Sequence, residues 1–132
     1  MIIGIGHDMT ELSRLRKILT GELSEKFLRR IFTELEFEEL GNTVGELRKV
    51  EYVAGRFAVK EAVSKAFGCG IGSKLSFHDI QVMRSSNGKP TCTVSSTAIE
   101  ALGYLNMNLE IHVSITHERE LASAFVVVEH RL

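Results

Sequence analysis

The residues able to do chemistry are concentrated in one stretch, Arg56-Phe57-Ala58-Val59-Lys60-Glu61-Ala62-Val63-Ser64-Lys65-Ala66-Phe67-Gly68-Cys69-Gly70-Ile71-Gly72. Glu61 falls at the edge of an apolar stripe with helical spacing formed by Leu47, Val50, Val53, Ala54, Phe57, Ala58 and Ala62. A carboxylate at that place is partly desolvated, and a desolvated charge needs a partner. Lys65 lies one turn on, Arg56 and Lys60 lie on the flank, and glycines follow at Gly68, Gly70 and Gly72. One carboxylate among several cations beside flexible backbone is the chemistry of a metal-phosphate site. The same spacing also describes an ordinary Glu61–Lys65 ion pair on a helix surface, worth about 0.3 kcal/mol. Gly68 also suits the left-handed position that closes a helix. On these residues alone, both readings stay open.

A second carboxylate, Asp8, follows the isoleucine-rich start Ile2-Ile3-Gly4-Ile5-Gly6. Asp8-Met9-Thr10-Glu11 matches a capping box, which makes Asp8 the N-cap of a helix over about residues 10–19. Asp8 can equally be a metal ligand at a strand-to-helix turn, and the two oxygens of a carboxylate allow both roles. Mg2+ is commonly held by one or two carboxylates, with substrate phosphates and water completing its shell. Lys65 and Arg56 would then neutralise phosphate, and the glycine-rich exit would approach it closely. No Walker A sequence is present. His112, Ser114 and Thr116 alternate along a strand and His117 follows at a turn. They lack a nucleophile-elbow pattern, no HExxH accompanies them, and the plain reading is the polar face of a half-exposed strand.

These groups have to be positioned by a small set of elements. Residues 1–6 read as a buried strand in which Gly4 and Gly6 mark close approach to a neighbouring element or a ligand. Ser24, Thr33 and Thr43 each open a helical pattern, Thr33 and Thr43 with Glu36 and Glu46 three residues on. The third of these helices runs about six turns to Gly68 and carries Glu61. The period then changes to two. Residues 79–84 and 91–94 form a hairpin about Asn87-Gly88, with Pro90 at a strand start. Ser96 caps a short helix, and residues 109–116 and 121–129 form a second hairpin. The expectation is a single α+β domain over residues 1–132, with a mostly antiparallel sheet packed on a long central helix.

Composition limits the function classes. The 132 residues carry a formal net charge of -1, which gives no case for nucleic-acid binding. Cys69 and Cys92 have neither metal-type spacing nor a disulfide framework, which fits a reducing cytoplasm. No basic leader and no long apolar run appears, so neither a signal peptide nor a membrane span is expected. Basic residues gather at Arg14, Arg16, Lys17, Lys26, Arg29 and Arg30, and Glu34, Glu36, Glu38 and Glu39 form an acidic run. The ordinary reading of each cluster is a solvated helix face.

The chain resembles the bacterial holo-[acyl-carrier-protein] synthases, the small 4'-phosphopantetheinyl transferases, nearly end to end. Gly4-Ile5-Gly6-His7-Asp8-Met9-Thr10-Glu11-Leu12-Ser13-Arg14 is similar to the family's opening motif, and Phe32-Thr33-Glu34-Leu35-Glu36 to its next segment. Residues 55–68 carry the most specific motif. Asn87-Gly88-Lys89-Pro90 and His112-Val113-Ser114-Ile115-Thr116-His117 resemble the closing ones. Cys69 stands where a threonine is common, and Val59 where an alanine is usual.

The resemblance implies a transfer of 4'-phosphopantetheine from coenzyme A to a serine of apo-acyl carrier protein, for fatty acid biosynthesis, with adenosine 3',5'-bisphosphate leaving. It implies Asp8 and Glu61 as Mg2+ ligands and Lys65 beside the diphosphate. Arg56 and His117 would lie near the nucleotide end, with Ser64 and Gly68 as further substrate contacts. A metal-held water would take the serine proton, with Asp8 or Glu61 acting directly as the rival. Arg14 would meet the acidic carrier protein, with Arg29 and Arg30 extending that face, and a homotrimer would build each active site at a subunit boundary. The alternative is a module that binds coenzyme A or the carrier protein without turnover. A third reading is a structural oligomer in which Glu61–Lys65 is only an ion pair.

Overall fold

A computed structural model describes residues Met1–Leu132. Its element order is β1 (Ile2–Glu11), α1 (Leu12–Leu19), α2 (Ser24–Ile31), α3 (Glu34–Gly41) and α4 (Glu46–Phe67). A 3₁₀ turn at Phe77–Asp79 leads to β2 (Ile80–Arg84), β3 (Pro90–Val94), α5 (Ser96–Ala101), β4 (Leu109–His117) and β5 (Leu121–His130). Two antiparallel sheets result, one of order β1-β5-β4 and the other the β2-β3 hairpin. The α+β class and the long central helix are as the sequence predicts.

α4 is the axis of the molecule because it is buried on nearly every side. Ala58, Val59, Ala62, Val63 and Ala66 share one core with Ala124, Val126 and Val128 of β5 and with Ile80 and Val82 of β2. Val50, Tyr52, Val53 and Ala54 share a second core with Leu12, Leu15, Ile31, Phe32 and Leu40. The apolar residues therefore surround the helix rather than forming one stripe, and Leu47 of the expected stripe is exposed.

β1 approaches α4 backbone to backbone. A Cβ on Gly4 would lie 1.9 Å from the Ala66 carbonyl oxygen, and one on Gly6 would lie 1.8 Å from that of Ala62. The glycines are thus notches for a neighbouring element. This packing also explains the first correction to the sequence reading. β1 continues through Asp8 to Glu11, paired residue by residue with β5, so Asp8 pairs with Ala124 and caps no helix. A ten-residue partner strand outweighs a local capping signal.

The other caps divide in the same way. Thr33 and Glu36 form the reciprocal box expected, with Glu36 N 3.3 Å from Thr33 Oγ1 and Thr33 N 2.8 Å from Glu36 Oε1. The N-caps of α2 and α4 are Leu23 and Gly45, without side-chain bonds, in place of Ser24 and Thr43. α5 is capped by Ser95, one residue before the expected Ser96, and is shorter than the sequence pattern suggests.

Candidate active site

The glycine notches bring β1 to α4 and so bring Asp8 near enough for its charge to act on Glu61. Side chains of a strand alternate, so Asp8 shares the α4-facing side of β1 with Gly4 and Gly6. Glu61 immediately precedes Ala62, the residue against which Gly6 packs. One chain supplies both carboxylates. Glu61 is held above the ordinary carboxylate range, first by burial and then by the negative charge of Asp8, with Lys65 and Arg14 opposing both. A carboxylate whose proton affinity is raised by a second carboxylate is one that a cation relieves. The donor set therefore fits a hard divalent ion.

Lys65 partners Asp8. Its Nζ donates to Asp8 Oδ1 at 2.9 Å and to the His7 carbonyl at 3.1 Å. The intrahelical Glu61–Lys65 bridge is not formed, because the side chain of Lys65 turns across to β1. The Asp8 side chain is 18 % exposed and that of Lys65 54 %, so the carboxylate is sheltered while the ammonium reaches solvent. Arg14, exposed on α1, is the second cation acting on Glu61.

The remaining residues marked in the sequence lie elsewhere or are already engaged. Arg56 is only 4 % exposed. Its guanidinium stands 3.9 Å over the Tyr52 ring and donates to Glu39 Oε1 at 3.2 Å. It is not the free phosphate-facing cation expected, because α4 buries that side against α3. Lys60 departs further from the flank role and is fully buried. Ser64 is buried as well, and its hydroxyl donates to the Glu61 carbonyl at 2.7 Å. His117 lies exposed at the end of β4, where Nε2 donates to the Glu51 carbonyl at 3.0 Å. That carbonyl is ten residues, or about 15 Å of helix, from Glu61.

Gly68 takes the left-handed cap conformation expected, with φ 73°. The exit that follows is not a phosphate cradle within this chain. The N–H of Cys69 and of Gly70 both return to the Ser64 carbonyl, and that of Gly72 to Leu75. These donors are spent on the negative end of the helix dipole, where an anion is disfavoured. Lys65 therefore provides the positive charge at this end. Cys92 is buried and pushed up to about 12 by burial, which makes it an inert core thiol.

What the sequence reading missed is a pair of carboxylates on α3. Glu36 is fully buried and spans from Lys60 Nζ, at 2.6 Å, to the Val82 N–H, at 2.7 Å. Glu39 repeats the pattern one turn on, spanning from Arg56 and the Tyr52 hydroxyl, at 2.8 Å, to the Arg84 N–H, at 3.2 Å. Val82 and Arg84 alternate with the ladder-bonded residues of β2, so their N–H groups point away from β3 and these carboxylates close the open edge. The signal was present in the spacing: Lys60 follows Val53 and Arg56 and precedes Val63 on one face of the buried helix.

The α+β fold places the chain in a class of small proteins that match it over nearly its full length. The model of the 4'-phosphopantetheinyl transferase superfamily matches residues 4–125. A holo-[acyl-carrier-protein] synthase of Geobacillus sp. (strain WCH70) is 45 % identical over 129 residues, covering 98 % of each chain. The solved holo-(acyl-carrier-protein) synthase of Bacillus anthracis str. Ames, in complex with CoA (3',5'-ADP), is 43 % identical with a TM-score of 0.81. That match covers 98 % of this chain and 97 % of the other. The Helicobacter pylori holo-[acyl-carrier-protein] synthase in complex with coenzyme A is 34 % identical, with a TM-score of 0.80 over 95 % of this chain and 99 % of the other. The chain belongs to the 4'-phosphopantetheinyl transferase superfamily.

Proposed function

We propose that the protein, acting as one domain, is a Mg2+-dependent holo-[acyl-carrier-protein] synthase. It moves the 4'-phosphopantetheine of coenzyme A to a serine of apo-acyl carrier protein. The serine oxygen forms a bond to the phosphorus that carries pantetheine, the phosphoanhydride bond breaks, the hydroxyl proton is lost and adenosine 3',5'-bisphosphate leaves. The observation that carries this reading is the convergence of Asp8, Glu61 and Lys65 from β1 and α4, in a chain so closely related to such synthases.

Asp8 and Glu61 would hold the metal, whose contribution when bound is to neutralise charge on the diphosphate and its leaving group. Lys65 adds a solvent-reaching ammonium beside them, bonded to Asp8 Oδ1. Arg14, on the exposed side of α1 and electrostatically within reach of Glu61, offers the acidic carrier protein a cation next to the reacting centre.

A homotrimer accounts for the face of the three-stranded sheet turned away from α4. Ile5, Met9 and Phe125 are 58 %, 59 % and 45 % exposed there, with His7 paired opposite Phe125. Large apolar side chains grouped on one sheet face mark an interface between chains. His117, bonded to α4 about 15 Å along the helix from Glu61, would then serve the nucleotide in a neighbouring subunit. No helix is long and apolar enough to cross a membrane. The free Cys69 and Cys92 fit a reducing, cytoplasmic setting, and the transfer to acyl carrier protein would serve fatty acid biosynthesis.

Mass spectrometry of apo-acyl carrier protein incubated with the protein, coenzyme A and Mg2+ tests the reading. A transferase adds one phosphopantetheine mass and releases the bisphosphate, and chelation of Mg2+ stops it. A carrier protein of unchanged mass with coenzyme A bound to the protein would instead identify a non-catalytic binding module. Sedimentation equilibrium tests the trimer, which a charged substitution at Phe125 should dissociate.

A further inference from the structure

Lys60 is the residue immediately before Glu61, and all three of its N–H groups are used inside the protein. Nζ donates to the Ile31 carbonyl at the end of α2 at 2.6 Å, to Glu36 Oε1 at 2.6 Å, and to the Phe77 carbonyl of the 3₁₀ turn at 3.0 Å. The Glu36 carboxylate is itself saturated, taking the Thr33 N–H at 2.8 Å and the Val82 N–H at 2.7 Å. Both side chains are 0 % exposed.

Stability does not explain this arrangement. Desolvating two charges offsets most of their attraction, and apolar residues of equal volume are often as stable or more so. What the pair provides is direction. Apolar contacts let a helix slide and turn, whereas an ammonium with three fixed acceptors in three segments does not.

α4 is gripped on its other side by β1, through Gly4 and Gly6 against the carbonyls of Ala66 and Ala62. Glu61 leaves the helix between these two grips. A turn of the helix by about 20° would swing a carboxylate carried about 6 Å from the axis through about 2 Å. That distance is enough to separate it from Asp8 as a joint ligand.

We propose that Lys60, through its buried contact with Glu36, is a positioning residue that fixes the rotation of α4 and so holds Glu61 against Asp8 in metal-binding geometry. The inference rests on the reading of Asp8 and Glu61 as metal ligands, and its test separates the two.

Mn2+ binding is measured by electron paramagnetic resonance, with coenzyme A present and carrier protein absent so that no turnover occurs. Wild-type protein should bind Mn2+ and D8N should not. The double variant K60M/E36Q removes both charges and keeps volume. It should stay folded by circular dichroism while its Mn2+ affinity falls about 10-fold or more, as when groups supporting metal ligands are lost. E36Q alone keeps an acceptor for Val82 but leaves the buried Lys60 ammonium without its counter-charge, and where it stays folded it should shift the affinity in the same direction. V63A, a core change on the same helix, should lower the melting temperature without moving Mn2+ affinity beyond about 2-fold, since it alters packing but no directed contact. Wild-type affinity in folded K60M/E36Q or in E36Q overturns the positioning role and leaves the metal site standing. An equal loss in V63A also overturns it, because the effect would then be general loosening. Failure of wild-type protein to bind Mn2+ removes the metal reading and this inference with it.

Discussion

Lys65 is bonded to Asp8, 57 residues away in sequence, with Nζ 2.9 Å from Oδ1, and not to Glu61 on its own helix. The ammonium therefore ties the two elements that supply the acidic pair, and it leaves Glu61 opposed only at a distance. Burial and the Asp8 charge then push the Glu61 carboxyl up. A carboxyl perturbed in this way marks a candidate functional centre.

Glu61 should accordingly trade stability for function. A carboxyl raised in the folded state above its unfolded value loses folding stability as pH rises through both values. At neutral pH in the presence of chelator, E61Q should therefore melt above wild type. D8N should remain folded, since its partly exposed bond to Lys65 contributes about 1 kcal/mol at most. Both variants should reduce transfer at least about 100-fold, as loss of charge-stabilising groups does elsewhere. Calorimetry and carrier-protein mass spectrometry check the two halves, and an E61Q less stable than wild type would contradict the electrostatic account.

Gly6 has no room for a methyl group. A Cβ there would lie 1.8 Å from the Ala62 carbonyl oxygen, which is helix backbone and cannot move aside. G6A should cost about 3 kcal/mol or more, well above an ordinary overpacking penalty. It should also lower activity in the fraction that stays folded, because β1 carries Asp8. Urea denaturation followed by circular dichroism measures the first effect. A cost under about 1 kcal/mol would mean that β1 does not approach α4 as described.

Asp79 predicts the acid limb of stability. Burial works to raise its carboxyl, but bonds from Ser95 Oγ at 2.6 Å and from Ser76 N and Oγ at 2.8 and 2.9 Å, with His78 nearby, bring it below the ordinary range. A depressed carboxylate contributes stability above its unfolded value of about 4, and that contribution is lost as pH falls through the folded value. D79N should thus be less stable than wild type by about 1 kcal/mol at pH 7, and the gap should close below about pH 4. Thermal melts across pH measure it, and a gap independent of pH would assign the effect to packing.

On the proposed function, Arg14 would serve the carrier protein and not coenzyme A. R14E should weaken carrier-protein binding about 10-fold or more, with a salt dependence smaller than wild type, and leave coenzyme A binding nearly intact. Isothermal titration with each ligand separately reads this, and equal loss of both would reject the division.

The sequence by itself determined what was local or periodic. Thr33 with Glu36 forms the capping box that their types and spacing dictate, and Gly68 closes α4 in the left-handed conformation that glycine adopts without the steric cost other residues meet. The period change after Gly72 marked the passage from helices to antiparallel hairpins, while the residues alone left Asp8 and Glu61 open between structural and metal-binding roles and only the family motifs joined them. Only the tertiary structure decided what those groups touch. Asp8 left its capping signal for a strand because ten residues of β1 pair with β5, and Lys65 left Glu61 for Asp8 because the glycine notches bring β1 to α4. Arg56 and Lys60, read from the sequence as cations on the flank, became interior ones because α3 supplies Glu39 and Glu36 against them. Spacing along a helix fixes the direction in which a side chain leaves it, but the partner it meets depends on segments far away in the chain.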